Sequence, residues 1–375
     1  MKVEQHTRTP ARGWSGPPAL PEAQLVLVFG RRQELESEDW SATLRDRWPA
    51  ATMIGCSTAG QIAGTQVFDE GAAATAIEFA HTTVRVAVEG ARGRDSSGVG
   101  ARLAAALAGP DLKHVLLLSE GLAINADRLL RGLGANLPEG VAVTGGLAAD
   151  GEQFSRTIVL TPDGPHDDVV AAVGLYGDRL HVGYGSVGGW DPFGPERLVT
   201  RSSGNQLYEL DGQSALGLYK KYLGEHAAAL PASGLLFPLS LRTREAEAPV
   251  VRTILRVDEA DQSMTFAGDV PEGGYVRLMK ANFDRLIDGA ILAGRVSAES
   301  LADGRADLAL LISCVGRRMV LRQRVEEEVE GVRDIVGAGA TLAGFYSYGE
   351  ICPFVPRGRC ELHNQTMTVT TFSER

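Results

Sequence analysis

Gly344-Phe-Tyr-Ser-Tyr-Gly-Glu-Ile351 loosely repeats a run from the first part of the chain, Gly55-Cys-Ser-Thr-Ala-Gly-Gln-Ile62. The residues in front of the two runs match as well, because Ala51-Thr-Met-Ile54 precedes one and Ala340-Thr-Leu-Ala343 precedes the other. A third, weaker copy is Val141-Ala-Val-Thr-Gly-Gly-Leu-Ala-Ala-Asp150. Because internal sequence repeats report repeated supersecondary units, these runs predict one Gly-bounded loop that is built three times.

Each copy of the loop lies between two apolar, strand-like runs and follows a helical stretch. The pattern predicts a unit of strand, helix, strand, loop and strand, repeated three times. The fold class is therefore predicted as mixed α+β (α/β), with two related modules whose β-sheets are flanked by helices and face one another. The predicted elements are Leu25–Phe29, Ser37–Trp48, Thr52–Ile54 and Ala73–Phe79; Val115–Leu118, Asn125–Leu133, Val141–Val143 and Arg156–Leu160; and Leu308–Ile312, Arg318–Val336, Thr341–Leu342 and Thr366–Phe372.

Size and composition limit the classes of protein to consider. A chain of 375 residues exceeds the size at which one hydrophobic core keeps growing, so two domains are expected. The net charge of -10 argues against nucleic-acid binding, which needs a basic surface. The sequence has no long uninterrupted apolar run, no signal peptide and only four cysteines, so we expect a cytoplasmic protein without membrane contact.

The Pro-, Gly- and Asp-containing stretch Thr161–Asp168 predicts a domain boundary, because boundaries fall in such polar linkers. It separates an N-terminal domain at residues 21–162 from a C-terminal domain at residues 168–373. Residues 1–20 are expected to be a disordered lead, because they contain Arg8, Pro10, Arg12, Pro17 and Pro18 and no apolar core. Within the second domain, Asp167–Val187 predicts a β-hairpin that turns at Gly177-Asp178.

Several short motifs, in their order along the chain, resemble those of the FIST family (F-box and intracellular signal transduction proteins). The resemblance covers nearly all of the sequence from Leu25 to Phe372. The motifs are Gly55-Cys-Ser-Thr-Ala-Gly60, Gly145-Gly-Leu-Ala-Ala-Asp150 with Phe154, Gly188-Gly-Trp190, Glu209-Leu-Asp-Gly212 with Ala215 and Tyr219, Ser313-Cys-Val-Gly-Arg317, Gly344–Ile351 and Leu362-His-Asn-Gln-Thr366.

The resemblance implies a sensory module with an N-terminal and a C-terminal FIST domain that binds a small ligand, with amino acids as the suggested class. One branch of the family is described as haem-based gas sensors, and the eukaryotic branch serves as substrate adaptors. No output domain fits the rest of this sequence, so we expect a separate partner protein to receive the signal.

The residue types in the motifs suit a small polar ligand. Arg317 follows a glycine directly after an apolar strand, where its guanidinium fork can bind a carboxylate. Glu350 and Asp150 end Gly-bounded loops and could receive an ammonium group. An Arg317–Glu350 ion pair between two units is the alternative interpretation. The full set of predicted ligand-binding residues is Cys56, Ser57, Thr58, Asp150, Cys314, Arg317, Tyr346, Tyr348, Glu350, His363 and Asn364.

Two other functions stay open from the sequence. Cys56 or Cys314 could be a thiol nucleophile with His363 as its base, although free cysteines are more often small buried hydrophobic residues. The expected protein has no cofactor, but a haem sensor is the alternative, with His181 or His363 as the axial ligand. A scaffold or adaptor that binds no ligand is a further alternative.

Overall fold

The first repeated unit contains its predicted strands and helix, together with strands that the sequence did not predict. The computed structural model describes residues 1–243, 249–301, 304–353 and 358–375. The elements of the first unit are β1 (Lys2–Thr9), β2 (Gly13–Trp14), β3 (Leu25–Gly30), α1 (Arg32–Glu36), α2 (Glu38–Arg47), β4 (Thr52–Ser57), β5 (Gln61–Ala63), β6 (Gln66–Phe68) and β7 (Ala72–Glu78).

The second unit repeats this order with a helix on each side of its middle strand. Two of its helices begin with a side-chain cap, since Asp95 and Asn125 accept hydrogen bonds from the amides of Gly98 and Arg128. The elements are β8 (Thr83–Gly90), α3 (Ser96–Leu107), β9 (Leu112–Ser119), α4 (Ala126–Gly134), β10 (Ala142–Leu147), β11 (Val159–Thr161), β12 (Gly164–His166) and β13 (Val169–Tyr176).

The third unit is interrupted after its first strand by a mostly β insert. The unit begins with β14 (Leu180–Val187). The insert consists of β15 (Asp191–Ser203), β16 (Gln206–Leu210), β17 (Gln213–Ser214), α5 (Ala215–Leu223), two 3₁₀ helices (Gly224–Ala229 and Ala232–Leu236), β18 (Leu239–Arg242), β19 (Val250–Arg252), β20 (Ile254–Asp258), β21 (Ser263–Phe266) and β22 (Tyr275–Lys280). The unit then continues with α6 (Phe283–Glu299), β23 (Leu308–Cys314), α7 (Val315–Leu321), a 3₁₀ turn (Arg322–Arg324), α8 (Val325–Val336), β24 (Thr341–Ser347), β25 (Gly349–Pro353), β26 (Cys360–His363) and β27 (Met367–Glu374).

The same arrangement of strands lies at the centre of three sheets. Within the described residues the strand orders are β12-β11-β4-β3-β7-β1-β2, β26-β25-β10-β9-β13-β8 and β14-β27-β23-β24-β5-β6. In each sheet a middle strand (β3, β9 or β23) runs parallel to the strand that carries the Gly motif and antiparallel to the last strand of its unit. The mixed α+β class is confirmed, as is the threefold repeat.

Glycine allows each motif strand to approach its middle strand closely. Gly55, Gly145 and Gly344 lie opposite Val28, Leu117 and Leu311 in the three parallel pairs. A Cβ atom at these glycines would lie 1.8 Å, 1.9 Å and 1.8 Å from the carbonyl oxygens of those partners. No side chain fits at such distances. The predicted equivalence of the three glycines is therefore confirmed, and close backbone approach is its reason.

Alternate residues of the middle strands face two different cores, as expected for strands buried on both sides. One set meets in a central core that the three sheets share, and the other set packs beneath the flanking helices. The central set is Leu25, Leu27, Phe29, Leu116, Leu118, Leu308, Leu310 and Ile312, and the outer set is Val26, Val28, Val115, Leu117, Ala309 and Leu311.

The hairpin that comes after each Gly motif joins the sheet of another unit. The hairpin β5–β6 of the first unit pairs with β24 of the third, β11–β12 of the second unit pairs with β4 of the first, and β25–β26 of the third unit pairs with β10 of the second. This cyclic exchange brings the ends of β4, β10 and β24 to one side of the molecule. The insert forms a fourth sheet, in the order β19-β18-β22-β15-β16-β21-β20, with an apolar core of its own.

Three expectations are wrong. Residues 1–20 are not a disordered lead, because β1 pairs along its length with β7 at the edge of the first sheet. The strands on either side of Gly177-Asp178 do not form a hairpin, since β13 pairs with β8 and β9 whereas β14 pairs with β27 of another sheet. The single helix expected at Arg318–Val336 is divided at Arg322, whose positive φ of 50° ends α7.

The close approach at Gly344 predicts a large loss of stability on substitution. Gly344→Ala should lower the free energy of unfolding by about 1–3 kcal/mol, because the new methyl group forces apart the β23–β24 pair. The matched control is Gly339→Ala, in the exposed turn before β24, where a Cβ meets no atom within 4 Å. Urea denaturation measures both variants, and equal losses for the two would contradict the explanation.

Candidate functional site

The three Gly-bounded loops meet and hydrogen-bond to one another through their backbones. β4, β10 and β24 end side by side, so the loop of each unit touches a loop of another. The three loops therefore converge at one place in the molecule. The bonds run from the amide of Ala149 to the carbonyl of Ser57 (2.8 Å), from Ala59 to Tyr346 (2.9 Å), from Tyr346 to Gly60 (2.8 Å) and from Tyr348 to Leu147 (3.3 Å).

A cavity of about 710 Å³ opens at this meeting point. Its size lies within the range of small-molecule sites. Two of the predicted ligand-binding residues, Thr58 and Asp150, line it. The full lining is Arg31, Arg32, Gln33, Thr58, Ala59, Gly60, Asp69, Glu70, Asp150, Gly151, Glu152, Gln153, Leu236, Val315, Arg318, Met319 and Arg322.

Asp150 presents a carboxylate whose hydrogen bonds hold its own loop. Its Oδ2 accepts bonds from the backbone amides of Ser155 (3.0 Å) and Arg156 (2.9 Å) and from the Ser155 hydroxyl (2.8 Å), and its Oδ1 accepts the Tyr348 hydroxyl. Burial opposes ionisation, but these hydrogen bonds outweigh it and lower the pKa of Asp150. The Phe154 ring stacks on Tyr348 at 4.5 Å between centroids. Asp150 therefore shapes the cavity wall.

The other predicted residues lie behind the wall, fully or almost fully buried. They are Cys56, Ser57, Cys314, Arg317, Tyr346, Tyr348, Glu350, His363 and Asn364. None of them lines the cavity. The sequence located the correct loops but could not say which side of each strand end faces solvent.

Arg317 is a structural residue. Its guanidinium forms an ion pair with Glu328 of α8, with 2.6 Å between Nη2 and Oε2, and both side chains are inaccessible to solvent. Nη1 donates to the carbonyl of Gly188 and Nη2 to that of Leu286, each at 2.7 Å. These partners occupy the donors that a ligand carboxylate would need. Both sequence-based interpretations of Arg317 are therefore wrong, because it faces no cavity and its ion-pair partner is Glu328 instead of Glu350.

Glu328 also accepts hydrogen bonds from two hydroxyl groups in the core of the third unit. The Tyr346 hydroxyl donates to Oε1 at 2.6 Å and the Ser313 hydroxyl donates to the same atom at 3.1 Å. The pair thus has the additional hydrogen bonds that a buried ion pair requires. Burial together with the neighbouring carboxylate raises the pKa of Tyr346 well above its usual value, so the phenol stays protonated as the donor.

Glu350 is buried among hydroxyl groups. Its Oε1 accepts the Ser347 hydroxyl at 2.7 Å, and its Oε2 accepts the amide and hydroxyl of Thr366 at 3.1 Å and 3.0 Å. Burial raises the pKa of Glu350 to about 8, although these hydrogen bonds oppose the rise. A carboxyl group in this position cannot receive a ligand's ammonium group, so that expectation is wrong.

Asn364 links the insert to the third unit, and His363 makes its contact within the hairpin β25–β26. The Asn364 Oδ1 accepts the amide of Thr253 at 3.2 Å, and its Nδ2 donates to the Tyr348 carbonyl at 3.3 Å. His363 Nε2 lies 2.9 Å from the Cys352 carbonyl, which fixes the proton on that nitrogen. Burial lowers the pKa of His363 to about 4, which keeps the ring neutral. Both residues thus have structural partners.

The positions of these residues do not suit the haem or thiol alternatives. The Nε2 atom of His363 donates a hydrogen bond to a backbone carbonyl, so it is not free to bind haem iron. His181 lies half-buried on β14, at the edge of its sheet and away from the strands that carry the Gly loops. Neither histidine lines the cavity. Burial raises the pKa of the Cys56 and Cys314 thiols, which disfavours the thiolate that a nucleophile requires.

Seven charged residues of the cavity lining were not predicted from the sequence. They are the arginines Arg31, Arg32, Arg318 and Arg322 and the acidic residues Asp69, Glu70 and Glu152, which lie in the same lining as the predicted Asp150. A signal for them was present in the sequence, because an Arg-Arg pair comes shortly after the middle strand in both the first and the third unit, as Arg31-Arg32 and Arg317-Arg318.

Arg318 joins the third unit to the first across this cavity. Its Nη1 donates to the Ala59 carbonyl at 2.6 Å, and its two terminal nitrogens form a bidentate pair with Asp69, in which Nη2 lies 2.7 Å from Oδ2. Gly60 leaves room for this contact, since a Cβ there would lie 2.8 Å from the guanidinium and its φ is +125°. The Gly motif therefore positions an arginine.

Family models match both halves of the chain. The FIST N domain matches residues 24–213 and the FIST C domain matches residues 215–353. The chain belongs to the FIST family. FIST domains are sensory domains of signal transduction. The two matches agree with the expected number of modules. They meet at residues 213–215, inside the insert, and not at Thr161–Asp168, which lies in the hairpin β11–β12 and the turn after it in the second unit.

The other comparisons add little to this assignment. A search of curated proteins found no match. Among solved structures, a cyanuric acid hydrolase is 8% identical with 99% of each chain covered and a TM-score of 0.27. Another, from A. caulinodans, is 11% identical over 78% of this chain and 99% of that chain, with a TM-score of 0.19. Scores this low support no argument about fold or activity. In the described part of the FIST chain, no helix is long and apolar enough to cross a membrane.

The buried Arg317–Glu328 pair predicts a strong effect of removing one partner. Glu328→Ala should lower the free energy of unfolding by about 3–5 kcal/mol, because the guanidinium then stays buried without a counter-charge. The control is Glu327→Ala on the same helix, whose pair with Arg324 is exposed and should contribute little. Chemical denaturation tests both, and a Glu328→Ala variant as stable as the control would refute the structural role.

The raised pKa of Glu350 predicts a loss of stability as the pH rises. The folded state holds the proton up to about pH 8, whereas the ordinary value is 4.5. The native state therefore binds more protons between these values, and the stabilisation present below pH 4.5 is lost towards pH 8. The unfolding free energy of the parent relative to Glu350→Gln should fall across this window. Urea denaturation at a series of pH values measures this difference, and a difference that does not change between pH 4.5 and 8 would contradict the assignment.

Proposed function

We propose that this FIST protein is a cytoplasmic sensory module that binds a free amino acid in the cavity where the three Gly loops meet. The ligand's carboxylate binds the arginines of the cavity and its ammonium group binds the acidic side chains. A separate partner protein reads the occupied state. The four free cysteines, Cys56, Cys314, Cys352 and Cys360, agree with a reducing compartment.

Two guanidinium groups with buried, unused donors support the proposal most directly. The Nε atoms of Arg32 and Arg318 are inaccessible and have no hydrogen-bond partner among the described residues. A buried donor without an acceptor costs about 1–3 kcal/mol, so few are found in native proteins. Both residues line the same cavity from different units. An anion in the cavity would supply the missing acceptor when these two side chains turn their Nε atoms towards it.

The remaining charges favour a zwitterion over a simple anion. In the described part of the chain, the exposed side chains of Arg31 and Arg322 have no hydrogen bond or ion pair, and the same holds for Glu70 and Glu152. A phosphate or a dicarboxylate would meet repulsion from the acidic side chains. An amino acid presents one group of each sign, which matches this mixed lining.

The Arg318–Asp69 pair provides a way for the ligand to alter the protein. Asp69 is 67% exposed on its side chain and lies in the connection that leads to β7. An exposed carboxylate contributes little to stability, so a ligand carboxylate can replace it at the guanidinium. Replacement would release the Asp69 connection of the first unit from α7 of the third. A partner that contacts this region would detect the change.

Two variants that break the same ion pair should have opposite effects on binding. A thermal-shift screen first identifies an amino acid that binds. Arg318→Ala should weaken the binding of this amino acid by about 1.5–3 kcal/mol, roughly 10- to 150-fold in Kd, because the substitution removes the charge-assisted hydrogen bonds to its carboxylate. Asp69→Ala should bind the ligand at least as tightly as the parent, because the internal competitor is gone. Titration calorimetry measures both affinities.

Equal weakening by Arg318→Ala and Asp69→Ala would mean that the pair acts only in folding, and the proposal would fail. It would also fail if no free amino acid raised the melting temperature, since a ligand stabilises the folded state by RT ln(1 + [L]/Kd). A Soret band in the purified protein would instead favour the haem alternative.

A further inference from the structure

We propose that the ligand's side chain is a long, apolar one, held in a groove that continues the amino-acid cavity. This inference rests on the proposed function, because it specifies which amino acids that cavity would select. The groove has a volume of about 450 Å³ and lies between α7 and the end of the insert. Its apolar lining is Leu236, Phe237, Ala281, Phe283, Met319, Val320 and Leu321, and its polar rim is Lys280, Arg322, Gln323 and Arg324.

The groove and the cavity are continuous. Leu236, Met319 and Arg322 line both. On α7, Val315 and Arg318 lie three residues apart on the face towards the cavity, Met319 follows Arg318 directly, and Arg322 lines the cavity just after the helix ends. A carboxylate at the Arg318 guanidinium therefore places the rest of the ligand beside the Met319 side chain, at the entrance of the groove.

The lining changes from charged residues in the cavity to apolar residues in the groove, as a ligand with a charged head and an alkyl chain requires. The cavity holds the charged residues, whereas the groove beyond Met319 is walled by aliphatic and aromatic side chains. Methionine at the junction adapts its shape to different chains. At the outer end, Phe283 is 48% exposed, so an apolar tail would cover surface that is otherwise in water.

The occupant that fits both parts is an α-amino acid with an unbranched alkyl side chain of several carbons. A free α-carboxylate and α-ammonium satisfy the cavity, and the alkyl chain enters the groove. A second protein chain is a poorer occupant, because the groove leads into a cavity whose lining demands both charges at one end of the ligand.

The test is a chain-length series of L-amino acids with linear alkyl side chains: alanine, norvaline, norleucine, 2-aminooctanoic acid and 2-aminodecanoic acid. Titration calorimetry with the full-length protein should show an affinity that rises about fourfold for each added methylene group while the chain lies in the groove. The affinity should stop rising once the alkyl chain is long enough to extend beyond Phe283. An affinity that does not depend on chain length overturns this inference but leaves the proposed function intact. Failure of every member to bind, with no other amino acid binding in the screen, overturns both.

Two variants in the groove separate the tail from the head of the ligand. Ala281→Trp should fill the groove, so that the long-chain members lose their advantage while alanine binds with unchanged affinity. Phe283→Ser should reduce the gain in affinity per methylene group only for the amino acids with the longest side chains. Phe193→Ser is its matched control. Phe193 is similarly exposed, at 44%, but lies outside the groove. If Phe193→Ser and Phe283→Ser change the series equally, or if Ala281→Trp retains the full chain-length dependence, the groove does not hold the side chain.

Discussion

The architecture depends on the close contact between two parallel strands at one glycine in each unit. At Gly55, Gly145 and Gly344 the motif strand lies so near its neighbour's carbonyl that any side chain would collide with it. This contact fixes the register of each parallel pair, and the register in turn sets where the motif strands end. Because the next hairpin of each unit crosses to another sheet, the three ends meet and their backbones hydrogen-bond.

Behind the meeting point lies a layer of buried polar residues that has its partners within the protein. Arg317 and Glu328 neutralise each other, and the hydroxyl groups of Ser313 and Tyr346 complete the carboxylate's bonds. The Arg317–Glu328 pair of this layer joins α7 to α8. In front of it, the cavity holds charges whose hydrogen bonds are incomplete, notably the Nε donors of Arg32 and Arg318. The Arg317–Glu328 pair is thus satisfied within the protein, whereas these two arginines of the cavity lining each keep one donor without a partner among the described residues.

The cavity is assembled from all three units and from the insert. Arg32 comes from the first unit, Glu152 from the second, Arg318 from the third and Leu236 from the insert. A ligand that contacts these residues would therefore be sensitive to the relative position of the units. This arrangement suits a FIST sensory domain, because binding energy at one place can bias the packing of several elements.

The sequence by itself determined the threefold repeat and the location of most strands and helices. Its apolar periodicity located these elements, and the repeated glycines identified the three loops that meet, since Gly55, Gly145 and Gly344 serve the same backbone contact. The sequence could not determine which sheet each hairpin joins, because Gln61–Ala63 pairs with a strand almost at the other end of the chain. It also could not decide between neighbouring residues: Arg317 and Arg318 are chemically identical, yet α7 turns one towards Glu328 in the core and the other towards the cavity. Side-chain direction at a strand end is set by packing between distant segments, and that information exists only in the tertiary structure.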